Sequence, residues 1–511
     1  MVSAFPLNSV ETSALDTNAE YMGVSTLQLM ENAGRSVADL VAERFGAGSS
    51  IVVYSGTGRN GGDGMVAARH LAGRGFEVVL RLVGVAKTMT DPVVCQNWFA
   101  LKAMTASTKI EEYGDSSLLS RTDSDVLVDA VLGTGAKGQL RQPIRRAVQT
   151  INESSGFKVA VDVPTGLDSD TGDVLGDAVR ANVTITFHAT KPGFRTASNF
   201  CGEIIVADIG VPPEASSYAG PGDVESVRTR RSANSHKGQF GRLLTIAGSE
   251  TFTGAPALVA LAAYRTGTDL VFVAAPERTA NVVSSMSPSI ISLKLPGDSL
   301  APSHLPLLRE HIDKATAIAI GPGLGTSKKT QSAVRHILTK AHQLKKPLLV
   351  DADAFKAVGL IRKRMFHGST VLTPHAGEFN AIAGNAPSKE LKARSNEVKA
   401  LAEKIGSVIL LKGNVDVISN GGQVKLNRTG NPGMTVGGTG DVLSGIISGL
   451  LAQGVEPFRA AIAGAFINGA AGDLAEEELG YHLTPTDLLE YIPKVMNNPM
   501  CHKPIFQKRL Q

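Results

Sequence analysis

The sequence predicts an α/β protein with two domains, and three observations lead to this prediction. The chain has 511 residues, which is more than a single hydrophobic core normally organises. Its 43% hydrophobic content and 54 glycines are typical of folded globular proteins. Apolar runs of strand length alternate with segments that suit helices, and this pattern indicates parallel sheets covered by helices. We expect the domains at residues 1–222 and 228–511.

Six apolar runs define the predicted strands of the first domain. Before them, the periodicity of residues 27–45 predicts two helical segments. The strands are predicted at residues 51–54, 78–83, 126–129, 159–162, 183–187 and 203–207. The segments between these strands are compatible with helices, as in layered parallel sheets. Residues 210–232 are rich in Pro, Gly and Ser, so we predict that they form a linker.

The second domain repeats the alternation of strand and helix. It begins with a predicted strand at residues 242–247 and a predicted helix at 255–265, and the alternation continues to about residue 489. Residues 442–451 have apolar side chains at helical spacing, which predicts another helix. The basic, proline-broken tail at residues 497–511 is expected to be frayed.

Composition argues against several classes of partner and compartment. The net charge is only +4 and no aromatic RNA-binding motif is visible, so we expect no nucleic-acid partner. No apolar run is long enough to span a membrane, and the first residues lack the order of a secretory signal. Cys95, Cys201 and Cys501 have no metal-ligand spacing. We expect a cytoplasmic homo-oligomer that acts on small molecules.

A glycine-dense loop ends in an acid at Asp441 and continues into the predicted helix at 442–451. Its sequence is NPGMTVGGTGD, residues 431–441. Glycine amides and a helix N-terminus together form a cradle for phosphate. Asp441 has two interpretations: a helix N-cap, which spacing alone favours, or a general base that deprotonates a hydroxyl during phosphoryl transfer.

Polar residues also follow other predicted strands of the second domain. Gly321 and Gly323 follow one apolar run, Asp351 follows a second, and His375 and Lys412 follow two more. Ligands bind beyond the carboxyl ends of the strands in such sheets. These segments therefore predict one cleft that includes the glycine-dense loop.

The first domain contains a glycine pattern that resembles a dinucleotide fingerprint. Gly56, Gly58 and Gly61 have the required spacing, which would suggest an NAD-dependent dehydrogenase. The match is weak, because residues 133–138 have the same spacing and neither pattern has a well-placed acid after the next strand. The chain contains no Gly-Lys dipeptide, so a Walker A loop is excluded.

Oxygen-bearing side chains collect at the predicted strand ends of the first domain. These are Asn60, Asp129, Asp162 and Thr165. Each alone could cap a loop, but their convergence in one parallel sheet favours a shared site. Oxygen donors without Cys or His suit a hard cation rather than zinc.

The motifs of both domains resemble one family of enzymes. The series GPGLGT, DADA, PHAGEF, LKGNVDVI and NPGMTVGGTGDVLSGII is similar to that of the ribokinase-like dehydratases that repair hydrated NADH and NADPH. The series NGGDG, VDAVLGTG and DVPTGLDSDTG resembles the epimerase half of the bifunctional NAD(P)H-hydrate repair enzymes. The resemblance covers nearly the whole chain. It implies a Rossmann-like three-layer domain with a parallel sheet, followed by a ribokinase-like α/β domain.

The resemblance also implies roles for residues of the first domain. Asp162 would be the catalytic acid and base, and Asn60, Asp129 and Thr165 would bind potassium. The substrate would contact Arg59, Asn60, Gly61, Gly62, Asp63, Gly133, Thr134, Gly135, Ala136, Lys137, Gly138, Gln139 and Asp162. Members of the family often have Asn in place of Arg59 and Ser in place of Thr165. The positive charge of Arg59 could repel the cation or favour the substrate phosphates.

In the second domain, the resemblance implies a dehydratase that uses ADP or ATP with Mg²⁺. Asp441 would be its catalytic base. The hydrate would contact Ala255, Gly323, His375 and Asp441, and the nucleotide would contact Lys412, Gly413, Asn414, Val415, Asp416 and Gly440. From the residues alone, His375 is more simply a loop histidine bonded to backbone. The competing interpretation of the whole chain is a ribokinase-like kinase for a vitamin or sugar, with a non-catalytic binding domain before it.

Overall fold

The computed structural model describes residues 6–229, 231–360 and 366–510. Contacts divide the chain into two compact units, Met1–Pro213 and Glu214–Gln511. Residues 214–222, which the sequence assigned to the first domain, therefore pack with the second unit. Both units contain a sheet that is mainly parallel, so the predicted α/β class is confirmed.

The first unit is built on a parallel sheet of seven strands. They are β1 (Ser50–Ser55), β2 (Glu77–Val83), β3 (Thr108–Tyr113), β4 (Asp123–Ala130), β5 (Ser155–Val161), β6 (Val183–Phe187) and β7 (Glu203–Ala207). Their order is β3-β2-β1-β4-β5-β6-β7, and all the pairs are parallel. The order reverses between β1 and β4, which is where such sheets leave a crevice for ligands. All six predicted strands are present, whereas β3 was not predicted.

The described part of the first unit, from residue 6 onward, contains six α-helices. They are α1 (Ser9–Tyr21), α2 (Thr26–Arg44), α3 (Arg59–Gly73), α4 (Pro92–Lys102), α5 (Ile144–Glu153) and α6 (Ser198–Cys201). The sequence predicted two helical segments around residues 27–45, whereas in the structure one continuous helix, α2, covers this stretch and α1 precedes it. A capping box fixes its start, since Ser25 and Gln28 each accept a hydrogen bond from the other's backbone N–H.

The second unit has a sheet of nine strands. They are β8 (Arg242–Ile246), β9 (Leu270–Pro276), β10 (Ile291–Leu295), β11 (Ala317–Ile320), β12 (Leu348–Val350), β13 (Thr370–Leu372), β14 (Val408–Leu411), β15 (Asp416–Ser419) and β16 (Val424–Asn427). Their order is β10-β9-β8-β11-β12-β13-β14-β15-β16. The strands from β10 to β14 are parallel, and the last two pairs are antiparallel. The order reverses between β8 and β11, which marks a second ligand crevice.

Helices accompany the second sheet along the chain. A short helix, α7 (Pro213–Ser217), contains the boundary between the two units. The helices that follow it belong to the second unit. They are α8 (Pro221–Val227), α9 (Ala255–Arg265), α10 (Glu277–Met286), α11 (Leu305–Lys314), α12 (Lys328–Gln343), α13 (Ala354–Val358), α14 (Ala376–Ala383), α15 (Leu391–Ile405), α16 (Thr439–Ala452), α17 (Pro457–Leu479), α18 (Pro485–Asn497) and α19 (Lys503–Lys508). Apolar residues of the strands and helices form the core, including Ile318, Ile337 and Ile409, which are fully buried. Among the described residues, no helix combines the length and the apolarity needed to cross a membrane.

Two segments that the sequence presented as unstructured are folded. Within the predicted linker, α8 buries Val224 and Val227, and Asp223 forms an ion pair of 3.0 Å with Lys425; Arg230 lies outside the described residues. In the tail predicted to be frayed, α19 buries Ile505 and Phe506; Gln511 lies outside the described residues. Both predictions relied on proline as a sign of irregular structure, but proline is also favoured in the first turn of a helix.

Candidate active sites

A cavity of about 520 Å³ lies at the carboxyl ends of β1 and β4, where the order of the first sheet reverses. Eight of the predicted residues line it: Arg59, Asn60, Asp63, Gly133, Thr134, Gly135, Ala136 and Asp162. α1 and α2 also contribute to the wall, including the side chain of Asp16. A cavity that joins apolar walls with a few convergent polar groups at a switch point is the expected form of a small-molecule site.

Asp162 follows β5 in a strained backbone conformation. Its φ is 64°, and its N–H donates to the carbonyl of Ile185 at 2.8 Å. A residue other than glycine in this conformation costs about 1–3 kcal/mol, and such residues cluster at functional sites. The Asp162 Oδ1 accepts a hydrogen bond from Thr186 Oγ1 at 3.2 Å and lies 3.1 Å from Lys191 Nζ. Lys191 is only 1% exposed, so Asp162 has a buried cation as its partner.

Gly133 brings the loop after β4 against Asp162 and Asn60. A Cβ at Gly133 would lie 3.3 Å from Asp162 Oδ2 and 3.2 Å from Asn60 Oδ1. Glycine therefore allows the backbone to approach both side chains closely. The Nδ2 of Asn60 is buried without a hydrogen-bond partner among the described atoms.

Asp129 and Thr165 form a buried pair beside this loop. Thr165 donates to Asp129 twice, through its N–H at 2.7 Å and its hydroxyl at 2.6 Å. The Thr165 hydroxyl also accepts from the N–H of Leu132 at 3.0 Å. Burial raises the pKa of Asp129 to about 6. Within the described part of the chain, no Lys, Arg or His forms an ion pair with this carboxylate.

Two further carboxyl groups face the cavity, and both have raised pKa values. Burial raises the pKa of Asp16 to about 6, and the nearby Asp162 adds to the shift. Burial and the charge of Asp162 raise the pKa of Asp63 well above its usual value. Protonation of these groups reduces the negative charge that a phosphate-bearing substrate would meet.

Five predicted substrate contacts lie outside the cavity wall: Gly61, Gly62, Lys137, Gly138 and Gln139. Gly61 packs so closely that a Cβ would lie 1.9 Å from the carbonyl oxygen of Gly56. Lys137 pairs with Asp168 and Asp170 at 2.9 and 3.0 Å. Arg59 lines the cavity, but its Nε donates to Asp91 at 2.8 Å, so part of its charge is neutralised.

In the second unit, the glycine-dense loop leads into α16. The N-cap is Gly438, whose φ of 107° and close contacts with Pro485 and Leu258 leave no room for a Cβ. Asp441 is the third residue of the helix, so its interpretation as the N-cap is wrong. The first turn of a helix has backbone N–H groups without partners within the helix, and these suit an anion.

Asp441 lies in a cluster of charged residues at the strand ends. Lys412 Nζ is 2.9 Å from Asp351 Oδ1, and Ser444 donates to the other oxygen of Asp351 at 2.6 Å. A Cβ at Gly440 would lie 3.6 Å from Lys412 Nζ, which places α16 against this ion pair. Burial, followed by the charge of Asp351, raises the pKa of Asp441 to about 7. Lys412 opposes this shift.

The predicted hydrate contacts Ala255 and Gly323 lie side by side. A Cβ at Gly323 would be 3.3 Å from the Ala255 Cβ. α9, which begins at Ala255, also contacts the loop before Asp441, because a Cβ at Gly438 would lie 2.9 Å from Leu258. These residues therefore border the same crevice as the glycine-dense loop.

His375 is the N-cap of α14. Its Nδ1 accepts hydrogen bonds from the N–H groups of Gly377 and Glu378 at 3.0 and 3.3 Å. Glu378 accepts in return from the N–H of His375, which completes a capping box. The simpler interpretation of His375, a histidine bonded to backbone, is confirmed. Its side chain is nevertheless 60% exposed, and its Nε2 lies 3.4 Å from Glu378 Oε1.

The predicted nucleotide segment forms the turn between β14 and β15. Gly413 and Asn414 are exposed, and the N–H of Gly413 donates to Asp416 at 2.9 Å. Asp416 also accepts from Asn427 at 3.0 Å, and burial raises its pKa to about 6. Asp416 therefore shapes the turn, while Gly413 and Asn414 present an accessible backbone and Val415 lies between them and β15.

Several residues of these sites were not predicted from the sequence. Lys191 and His188 follow β6, and Asp16 lies on α1, far along the chain from the other residues of the cavity. Ser444 lies in the buried and mostly apolar part of α16, residues 442–452. Lys191 comes four residues after the end of the buried strand β6, and no local sequence pattern indicated its role.

Comparisons with known proteins match both units. The family model described as the N-terminus of YjeF-related proteins matches residues 26–193, and the model described as NAD(P)H-hydrate dehydratase matches residues 243–494. A solved protein of Streptococcus mutans is 26% identical, with a TM-score of 0.50, over 55% of this chain and 99% of that one. An ADP/ATP-dependent NAD(P)H-hydrate dehydratase from Bacillus subtilis is 33% identical over 54% of this chain and 96% of that one, with a TM-score of 0.46.

Two relatives match this chain almost from end to end. The bifunctional NAD(P)H-hydrate repair enzyme Nnr of Hyperthermus butylicus is 44% identical, over 97% of this chain and 93% of its own. The enzyme of the same name from Pyrobaculum aerophilum is also 44% identical, over 96% of this chain and 98% of its own. Since these matches span both units and both crevices, the chain belongs to the family of bifunctional NAD(P)H-hydrate repair enzymes.

Proposed function

We propose that the first unit interconverts the two epimers of hydrated NADH and NADPH, and that the second unit dehydrates one epimer with ADP or ATP. The observation that carries this proposal is the presence of two separate crevices, each with a buried or half-buried aspartate at a strand end or helix start. Asp162 occupies the first and Asp441 the second. Family membership supplies the substrate class.

At the first site, Asp162 acts as acid and base. A hydrated nicotinamide carries a hydroxyl on the carbon beside the ring nitrogen. The nitrogen lone pair expels this oxygen, Asp162 protonates it to water, and a planar iminium remains. Water then adds from the opposite face and returns its proton to the carboxylate, so the centre is inverted and no atom is gained or lost. Lys191 holds the carboxylate at 3.1 Å and orients it toward the cavity.

At the second site, Asp441 removes the proton of the hydroxyl while that oxygen attacks the terminal phosphorus of the nucleotide. The shortened nucleotide leaves, and the first-turn amides of α16 stabilise the transferring group. The ring nitrogen then expels phosphate, and loss of a proton from the neighbouring carbon restores the dihydronicotinamide. A base with a pKa of about 7 suits this step, because it is partly deprotonated at neutral pH and still accepts a proton readily.

Mg²⁺ would accompany the phosphates of the nucleotide and neutralise their charge. Among the described residues, no group of three His, Cys, Asp or Glu side chains is placed to hold a metal ion. Mg²⁺ needs no such group, because it keeps several waters and binds mainly through phosphates with one or two carboxylates. Asp353, whose Oδ2 accepts from the N–H of Gly325 at 2.9 Å, lies in the same crevice.

A mixture of both hydrate epimers tests the proposed function. Without nucleotide, the purified protein should equilibrate the epimers and restore no dihydronicotinamide. With ADP and Mg²⁺, both epimers should be consumed, and the absorbance of the dihydronicotinamide should rise as inorganic phosphate is released in equal amount. Accumulation of a stable phosphorylated product would instead identify a ribokinase-like kinase.

We propose that the side-chain oxygen atoms of Asn60, Asp129 and Thr165 would hold potassium. The buried Asp129 carboxylate has hydrogen-bond donors but no cationic side chain as partner in the described structure. A monovalent cation would supply that charge, and the amide and hydroxyl oxygens are suitable ligands for a hard ion. Thr165 retains the hydroxyl of the serine that is common in the family.

Potassium should therefore stabilise the first unit. If the potassium concentration exceeds the Kd by about tenfold, the free energy of unfolding increases by about 1.4 kcal/mol. In a unit of this size, each kcal/mol raises Tm by about 2–4 °C. The measurement is thermal unfolding in potassium chloride against choline chloride at equal ionic strength. Asp129→Asn should abolish the difference, whereas Asp125→Asn, on the exposed part of the same strand, should keep it. Equal stabilisation of Asp129→Asn would contradict the site.

A further inference from the structure

We propose that the C-terminal segment, residues 499–510, positions the phosphate-binding loop through the buried carboxylate of Asp473. The inference rests on the proposed dehydratase function and assigns Asp473 and Arg509 as positioning residues for it. Neither residue belongs to the crevice itself. Asp473 lies on α17 and is fully buried, and Arg509 follows α19.

Asp473 joins two segments that are distant in the sequence. On the side of the loop, it accepts hydrogen bonds from the N–H of Gly430 at 2.9 Å and from Asn431 Nδ2 at 3.0 Å. On the side of the tail, Arg509 donates to both of its oxygens at 2.8 Å, and His502 Nε2 lies 2.8 Å away. A bidentate guanidinium fixes orientation as well as distance.

Arg509 also contacts the loop directly. Its Nη1 donates to the carbonyl oxygen of Gly430 at 3.1 Å, so both polar groups of this peptide segment are held from one side. Burial alone would raise the pKa of Asp473, but hydrogen bonds from His502 and Arg509 hold that pKa below its usual value. Asp473 therefore stays ionised at physiological pH and keeps its hydrogen bonds to Gly430 and Asn431.

The packing around this cluster leaves little freedom for the loop. A Cβ at Gly469 would lie 2.2 Å from Thr429 Oγ1, and a Cβ at Gly472 would lie 2.2 Å from Met434 Sδ. Beside them, the guanidinium of Arg428 is close to the ring of Tyr218 and to that of Phe506 from the tail, at 4.5 and 4.6 Å. The start of the loop therefore packs against α17, and the C-terminal segment covers it.

The residues that pack against α17 are followed directly by the catalytic end of the loop. Residues 430–434 are followed by the glycines at 437, 438 and 440 and by Asp441. Glycine-rich backbone has little rigidity of its own. The position of the phosphate-binding amides therefore depends on where the loop is anchored, and residues 499–510 contribute Arg509 and His502 to this anchor.

The test compares Arg509→Ala with Lys508→Ala in the full chain. Lys508 is the adjacent residue, and its Nζ pairs with Glu477 on α17 at 2.8 Å rather than with Asp473. Arg509→Ala should raise the KM for ADP in dehydration by about tenfold, as expected for the loss of hydrogen bonds to a charged group. The KM for the hydrate and the rate of epimerisation should stay within about twofold of the wild type. Arg509→Lys should recover part of the affinity for ADP, and Lys508→Ala should match the wild type.

Amide hydrogen exchange supplies a readout that does not depend on activity. In Arg509→Ala, the amides of residues 430–436 should exchange about tenfold faster, while those of β11 and β12 are unchanged. A wild-type KM for ADP in Arg509→Ala would overturn the proposal, and so would faster exchange over the whole second unit, which would indicate general destabilisation. If the wild-type protein shows no ADP-dependent dehydration, the proposed function fails, and the exchange comparison still decides whether the tail holds the loop.

Discussion

Replacing Asp441 with Asn should reduce nucleotide-dependent dehydration by about 10²–10⁴-fold, the usual contribution of a general base. Asn preserves the size of the side chain but cannot accept the proton of the hydroxyl. Epimerisation should continue at the wild-type rate, because Asp162 lies in the other compact unit. Release of phosphate and recovery of the dihydronicotinamide measure the first activity, and the ratio of the two epimers over time measures the second.

The pH dependence of dehydration provides a second check on Asp441. The base must be deprotonated, so kcat/KM should rise with pH and level off above about 7, where burial and Asp351 place its pKa. In the Asn variant, the residual rate should lose this rise. A folded Asp441→Asn protein that lacks both activities, or one that retains dehydration with the original pH profile, would show that Asp441 is not a base dedicated to the second site.

The sequence predicted the strands of the first sheet well, apart from one edge strand. Central strands of a parallel sheet are buried on both faces and appear as continuous apolar runs, as in Val126 to Val128 of β4. β3 escapes this pattern, since it lies at the edge of the sheet and contains Lys109, Glu111 and Glu112. Its pairing with β2 depends on a neighbour that is distant in the sequence.

The candidate sites were predictable where they follow strand ends. Asp162, Asp351 and Lys412 each come directly after an apolar run, and the parallel arrangement brings such ends to one edge. Their partners were not predictable. The ion pairs Lys191–Asp162 and Arg509–Asp473 depend on tertiary packing. No local sequence pattern therefore predicts either of them.

Helix boundaries were the other limit of the sequence. Asp441 was assigned most simply to the N-cap, yet α16 begins two residues earlier, after Gly438. Glycine at position 438 adopts a left-handed conformation that fits beside Pro485 and Leu258, and these contacts come from distant parts of the chain. The shift places Asp441 inside the first turn, where its carboxylate is available for chemistry.

Replacing Asp162 with Asn should abolish interconversion of the two epimers, with a loss of about 10²–10⁴-fold. Asn is the most conservative change for this position, because it tolerates the positive φ of 64° better than most residues and can still accept a hydrogen bond from Thr186. It cannot protonate the departing hydroxyl or receive the proton of the incoming water. Dehydration of the reactive epimer at the second site should be unchanged.

The buried charge of Lys191 makes a stability control necessary for this variant. In Asp162→Asn, the Lys191 ammonium group keeps hydrogen-bond acceptors in the new amide oxygen and in the carbonyl oxygens of Phe187 and Ala189, but it loses its counter-charge, which costs about 3–5 kcal/mol. Asp162→Asn combined with Lys191→Met removes both charges, so it should recover the thermal stability but not the epimerisation. Asp173→Asn, which changes an exposed acid of the same loop, should leave both properties unchanged. Epimerisation at the wild-type rate in the double variant would show that another group, such as Asp16 or Asp63, moves the proton in the first cavity.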